Sequence, residues 1–148
     1  MRALPGVLFV LLAATGCATA VTGTPVPATG VTPGRTLVSE YFTELNEAGA
    51  DGVGAQREFL RRTQHPDFDS DCDLGNLTLR VEPALSTLRT DPKWKPEKAS
   101  KAPRGTVYVV GVSVRIRRES ATLAEQIGSQ RVVVLDGKAY GFTPCPTR

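Results

Sequence analysis

The chain carries one histidine, and an alternating run of acids begins two residues after it: His65, then Asp67, Asp69, Asp71 and Asp73. A histidine beside a carboxylate is the minimum apparatus for moving a proton near neutral pH. A His65–Asp67 or His65–Asp69 pair would do this work only if it faced a cavity. A plainer role is at hand. His65 follows a helix-forming stretch and precedes Pro66, so it stands at a helix C-terminus, where a cation is favoured. Helix ends usually face solvent. His65 is therefore expected to be exposed and replaceable, and no catalytic residue is assigned.

Alternating carboxylates also offer hard oxygen ligands to calcium. The twelve-residue calcium-loop template fails in each register. Counted from Asp67, Cys72 takes the sixth place and Thr78 the twelfth. Counted from Asp71, Glu82 does reach the twelfth, but Gly75 takes the fifth place and Asn76 the sixth. The run reads as a solvated loop, with no metal and no cofactor.

A third cluster is basic: Lys93, Trp94, Lys95, Lys98, Lys101 and Arg104, with Arg115, Arg117 and Arg118 further on. One aromatic among cations suits an anionic envelope polymer or a lipid headgroup surface. The plainer reading is a solvated loop with Trp94 folded onto a sheet. The formal charge of +3, near +2 once Arg2 is removed, is too small to indicate nucleic-acid binding. Asn76-Leu77-Thr78 is a glycosylation sequon on paper and is assigned no role.

The start of the chain supplies an address. Arg2 precedes an apolar run from Ala3 to Ala14, and small residues then lead to Cys17. The run is too short for a permanent membrane span, which needs about 20 residues, and its layout is that of a cleaved export signal. The segment Ala14-Thr15-Gly16-Cys17 resembles the lipobox of bacterial lipoproteins, with Ala14 where that family most often has Leu. The resemblance implies cleavage before Cys17 and a diacylglycerol carried on its thiol, palmitate among the acyl chains. Two or more acyl chains hold a protein firmly where one does not. The expected location is then the outer face of the cell membrane. The alternative is plain secretion, with cleavage after Ala18-Thr19-Ala20. With Cys17 lipidated, Cys72 and Cys145 remain as an even pair in an oxidising compartment and are expected to form a disulfide. Closing so long a loop stabilises a fold by roughly 4 kcal/mol in the chain-entropy model. The rival, a reactive Cys72, is disfavoured because Asp71 and Asp73 would raise its thiol pKa.

Three segments follow from this reading. Residues 1–16 are a signal peptide. Residues 17–35 hold the lipidated cysteine and a tether of Thr, Pro, Gly, Ala and Val without charge or helical period up to Gly34. Residues 36–148 form a single domain, long enough for one core.

Within the domain, Leu37, Tyr41, Leu45 and Ala48 recur at helical spacing, with Phe42 widening the stripe, and predict a helix from near Thr36 to near Gly49. Asp51 is placed to cap a second helix running to about Thr63. Leu77, Leu79 and Val81 alternate with polar residues in a first strand, and the pattern is expected to resume after Pro83 as far as Leu88. Residues 90–105 are a charged, proline-containing loop. Thr106 to Arg118 is the clearest strand, with Tyr108, Val110, Val112, Val114 and Ile116 on one face. Thr122 to Leu135 is another, Asp136-Gly137 is a hairpin turn, and Lys138 to Phe142 returns.

Two helices followed by three or four antiparallel strands make an α+β fold, the strands forming a curved sheet over the helix pair. The helix YFTELNEA, the HPDF step and the hairpin VVVLDGKAYGF resemble the cone-shaped α+β roll of ketosteroid isomerases, polyketide cyclases and nuclear transport factor 2, as it occurs in exported actinobacterial-type lipoproteins of unknown function. A cystatin-like sheet on one helix is the rival. The roll implies an internal cavity, with an acid or base at its mouth in the enzymes. Three functions are thereby expected in order: a non-enzymatic binding or scaffolding domain in the cell envelope, meeting an envelope polymer or protein; a carrier of a small apolar ligand; and an isomerase- or cyclase-like enzyme.

Overall fold

The computed structural model describes residues 33–68, 73–97 and 99–142. Two helices, α1 (Pro33–Asp51) and α2 (Val53–Arg62), precede four strands: β1 (Thr78–Thr90), β2 (Thr106–Arg118), β3 (Ala121–Leu135) and β4 (Lys138–Gly141). The strands form one open antiparallel sheet in the order β1-β2-β3-β4, and the helices pack on it. The expected α+β architecture is therefore present, with four strands.

Helix α1 is longer than its apolar stripe suggested. It begins at Pro33, whose fixed φ suits a first helical residue, and it continues through Gly49 to Asp51. Gly49 does not end the helix. A Cβ there would stand 2.5 Å from the Gln56 side-chain amide, so the glycine serves close packing of α1 on α2. Nor is Asp51 the cap of α2: it is the last residue of α1, and Gly52, at φ 119°, takes the N-cap position. A β-carbon is strained at that φ, and glycine lets one helix turn directly into the next. The stripe is also rotated from its expected centre. Val38, Tyr41, Phe42 and Leu45 are buried, and Leu37 is half-buried.

The core joins this stripe and Phe59 of α2 to Leu79, Val81, Val110, Val112 and Val132. Each such aliphatic or aromatic side chain stabilises the fold by about 1.5–3 kcal/mol relative to exposure. Strand β2 spans the residues its alternation predicted. Its opposite face is not simply polar, however. Val107 and Val109 are buried there, and Val133, paired with Val107, is buried too. Loop 91–105 and the segment after α2 cover this second face. Strand β1 runs on past Pro83 to Thr90 with an irregularity between Ala84 and Arg89. The turn at Asp136 (φ 50°) and Gly137 (φ 73°) keeps both residues left-handed, as a tight two-residue hairpin turn requires.

The direction of the backbone groups can be followed across the sheet. The Gly111 N–H donates to Thr87 Oγ1, and the Val107 carbonyl accepts from the Asp91 N–H. Odd-numbered residues of β2 thus turn their polar groups toward β1, and even-numbered ones toward β3. The β2–β3 register pairs even with even from Thr106↔Val134 to Ile116↔Ala124. The odd-numbered residues of β3 therefore point their N–H and C=O groups outward. At Val133 they meet β4. Strand β4 pairs only with Val132 to Leu135, so among the described residues Ala121 to Arg131 is an unpaired sheet edge.

The other edge, on β1, is closed at its start. The Asn46 amide donates to the Val81 carbonyl and accepts from the Val81 N–H, both at 2.7 Å. Gln56 repeats the arrangement at Leu79: its Nε2 donates to the Leu79 carbonyl (2.7 Å), and its Oε1 accepts from the Leu79 N–H (2.8 Å). Gln56 Nε2 also donates to the Leu45 carbonyl (3.1 Å). Two side-chain amides thus stand where a fifth strand would pair.

Candidate functional site

The sheet leaves a groove of about 650 Å³ beside the core. Its floor is aliphatic, made by Leu79 and Val81 of β1 and Val112, Val114 and Ile116 of β2. The register explains this grouping: Leu79 pairs with Ile116 and Val81 with Val114, so all lie on one face. Leu74 and Leu77 of the preceding turn form one wall, and β3 from Gln126 to Arg131 forms the other. Trp94 and Phe142 close the rim. Gln126, Gln130, Arg131 and Asp73 supply its polar groups.

At the rim, Trp94 packs on Phe142 (ring centroids 4.7 Å apart) and under the Arg131 guanidinium (5.2 Å). Arg131 is fixed in turn by Asp91 at 3.3 Å. Trp94 is thus folded onto the sheet, as its plainer reading had it. Two of the remaining basic residues are taken up in ion pairs. Arg104 grips Asp67 with two nitrogens, at 2.7 and 2.9 Å. Arg115 pairs with Glu82 (2.9 Å) and Glu125 (3.5 Å). Lys93, Lys95 and Lys101 are exposed, and Lys98 lies outside the described residues.

His65 is a correction to the expected exposure. It is 1% exposed. Its ring stacks on Phe142 at 5.7 Å, with Phe68 at 5.4 Å and Tyr140 at 6.0 Å. Nε2 donates to the Arg104 carbonyl (2.9 Å), and Nδ1 accepts from the Asp67 N–H (3.2 Å). These two partners select the neutral Nε2–H tautomer. The backbone is tied as well: His65 N–H donates to the Gly141 carbonyl, and Gly141 N–H to the Thr63 carbonyl. His65 therefore pins the end of β4 to the end of α2, and does not cap a solvent-facing helix end.

The Asp67 carboxylate does not serve the ring. It belongs to Arg104, whose hydrogen bonds hold its pKa below the ordinary aspartate value. The His65–Asp67 acid–base pair is thus not assembled, and the described lining of the groove contains no histidine. The groove's one acid, Asp73, pairs with Arg57 at 3.3 Å and accepts the Gly75 N–H at 2.8 Å. Asp69 and Asp71 lie outside the described residues. Among the described residues no group of three His, Cys, Asp or Glu side chains is placed to hold a metal ion. Cys17, Cys72 and Cys145 also lie outside them, as do residues 1–32, which include the expected signal peptide and nearly all of the expected tether. No helix among the described residues is long and apolar enough to cross a membrane.

Burial pushes the Tyr41 hydroxyl up to about 12, against a smaller opposing effect from its hydrogen bond with Thr63. The folded state holds this proton more tightly than the unfolded chain. Its contribution is complete below the ordinary tyrosine value and is lost as pH rises from about 10 to about 12. The hydroxyl lies over Gly141, where a Cβ would meet it at 2.0 Å. Tyr41 is thus a packing residue beneath β4.

Comparison of the chain with family models, with curated proteins and with solved structures finds no match.

Proposed function

We propose that the chain is an exported, lipid-anchored binding domain of the cell envelope, without enzymatic activity, and that its ligand site is the groove between the 73–77 turn and β3. One observation carries the binding reading: a cavity of about 650 Å³ has an aliphatic floor and a few polar groups on its walls, most of them on β3. Sites for small ligands are of this size and composition, with a few polar groups that set orientation. The ligand that fits is an apolar chain or ring with one polar end, its apolar part on Val112, Val114 and Ile116 and its polar end near Gln126, Gln130 or Arg131. Catalysis of the isomerase type would need a free base in that space, and His65 has both ring nitrogens engaged elsewhere.

Trp94 is the chain's only tryptophan and stands at the rim, so its emission reports on occupancy. Titration of the full chain with a long-chain fatty acid should give a saturable change in that emission. Ile116→Lys places a charge on the floor and should weaken binding at least about tenfold, and Val114→Phe, which narrows the groove without charge, should act in the same direction. No saturable change, or equal binding by both variants, would overturn the groove as the site.

The anchor rests on the lipobox-like Ala14-Thr15-Gly16-Cys17. Cys17→Ala should move the protein from the membrane fraction to the medium. Wild-type protein that begins at Val21 and is wholly soluble would remove the anchor and leave the groove reading intact.

A further inference from the structure

We infer that the open edge of β3 pairs with the same edge of a second copy, antiparallel about a two-fold axis at Ile127, so that two four-stranded sheets become one. Ile127 is 90% exposed and Leu123 51%, and both lie within the stretch that β4 leaves uncovered. The outward backbone groups of Glu125, Ile127 and Ser129 form a template for another strand. Monomeric proteins usually blunt such an edge with Pro, Lys, a bulge or a covering element. From Ala124 to Arg131 there is no Pro, no Lys and no irregularity of register, and no described element covers it.

The chemistry of the strand selects a second copy. A two-fold axis at Ile127 sets each outward-facing residue against an outward-facing partner, because odd positions meet odd positions. Ile127 then opposes its own counterpart, which removes the most exposed apolar side chain of the edge from water. Glu125 opposes Ser129 of the second copy and stands diagonal to that copy's Arg131, a pairing of opposite charge within reach of long side chains. The strand carries no repulsion of its own. Glu125 is already held by Arg115 and by the Ser113 hydroxyl, and Arg131 by Asp91. The same patch meets itself, as a closed two-fold interface requires. Pairing stops naturally where β4 begins at Val132, so the contact is limited to about one strand's length and does not propagate into a fibre.

Two measurements on the full chain in detergent test this. Sedimentation equilibrium should show a monomer–dimer equilibrium that Ile127→Lys shifts to monomer, and the melting temperature should rise with protein concentration for the wild type but not for Ile127→Lys. Ile127→Cys should form a cross-link between the two copies on mild oxidation: directly opposed residues of an antiparallel hydrogen-bonded pair lie about 5.5 Å apart at Cα, within disulfide reach. Peptide mapping should find position 127 joined to position 127, while a cysteine at Glu119, beyond the pairing stretch, should not cross-link to itself. A wild-type monomer at every concentration overturns the inference. So does a dimer that Ile127→Lys leaves intact, or one that forms only after residues 143–148 are removed, which would assign the edge to the chain's own tail.

Discussion

The two edges of this sheet solve one problem in opposite ways. Both present a row of backbone donors and acceptors. On β1 the row is met by Asn46 and Gln56, whose primary amides carry a donor and an acceptor in the spacing of a neighbouring strand. On β3 the row from Ala121 to Arg131 meets no described residue, and its middle carries an isoleucine in water. The difference lies in where the helices sit: α1 and α2 pack along β1, and α1 reaches β3 only near its end under β4. An edge next to the helical layer can be finished by side chains. An edge beyond that layer has only another strand to finish it.

The comparison is broken most severely by removing the amide at Gln56. Gln56→Leu keeps the bulk but leaves the Leu79 N–H and C=O without their partner in a buried site, and removes the second donor to the Leu45 carbonyl. At about 1–3 kcal/mol for each unsatisfied group, a loss of about 4 kcal/mol is expected in urea unfolding, and Asn46→Ala should cost about half as much, since it strands one N–H and one C=O in a less buried place. A loss below about 1 kcal/mol for Gln56→Leu would mean that water replaces the amide and that the β1 edge is not closed in the sense drawn here.

A smaller effect sharpens the boundary between covered and open edge on β3. His65 holds the end of β4, and with it the limit of the free stretch. His65→Ala removes two hydrogen bonds and a ring packed among Phe68, Tyr140 and Phe142, and about 3 kcal/mol should be lost. The change should also speed amide exchange at Gly141 and Val133 more than at Leu79. Uniform exchange, or an unchanged melt, would return His65 to the solvent-facing role that its sequence context suggested. The smallest effect on stability belongs to the open edge itself, where Ile127→Lys should stay within about 0.5 kcal/mol of wild type at concentrations low enough to keep both monomeric.

What could be read before the fold was known follows from how far each signal travels along the chain. Strand β2 was legible because Val and Ile alternate over its whole length, and the last hairpin because Asp136-Gly137 is a local turn signal. Helix α1 was legible as an element, though not in its ends: Gly49 resembles a stop signal until Gln56 is seen packed against it. The burial of His65 was not legible, because its partners Arg104, Tyr140 and Phe142 come 39 to 77 residues later. Nor was the burial of Val107 and Val109, which depends on a charged loop folding back over them. Gln56 did leave a trace. It stands at helical spacing from Val53, Phe59 and Leu60, a polar residue in an apolar stripe, and such a residue must find buried partners. The groove had only a partial signal: its aliphatic floor is the β1 and β2 alternation, but its emptiness depends on where the helices stop.

The amides at Asn46 and Gln56 also bear on timing. A chain is made from its N-terminus, and domains tend to form in that order. The helix pair and β1 are complete by residue 90, before any residue of β2 has been added. In that interval β1 would stand with both margins unsatisfied, a strand ready to join whatever chain is nearest. Asn46 and Gln56 belong to the part already present, so one margin is occupied from the start and only the margin awaiting β2 stays open. A β1 strand held in this way before β2 is made would leave open, at Leu79 and Val81, only the margin that β2 will take.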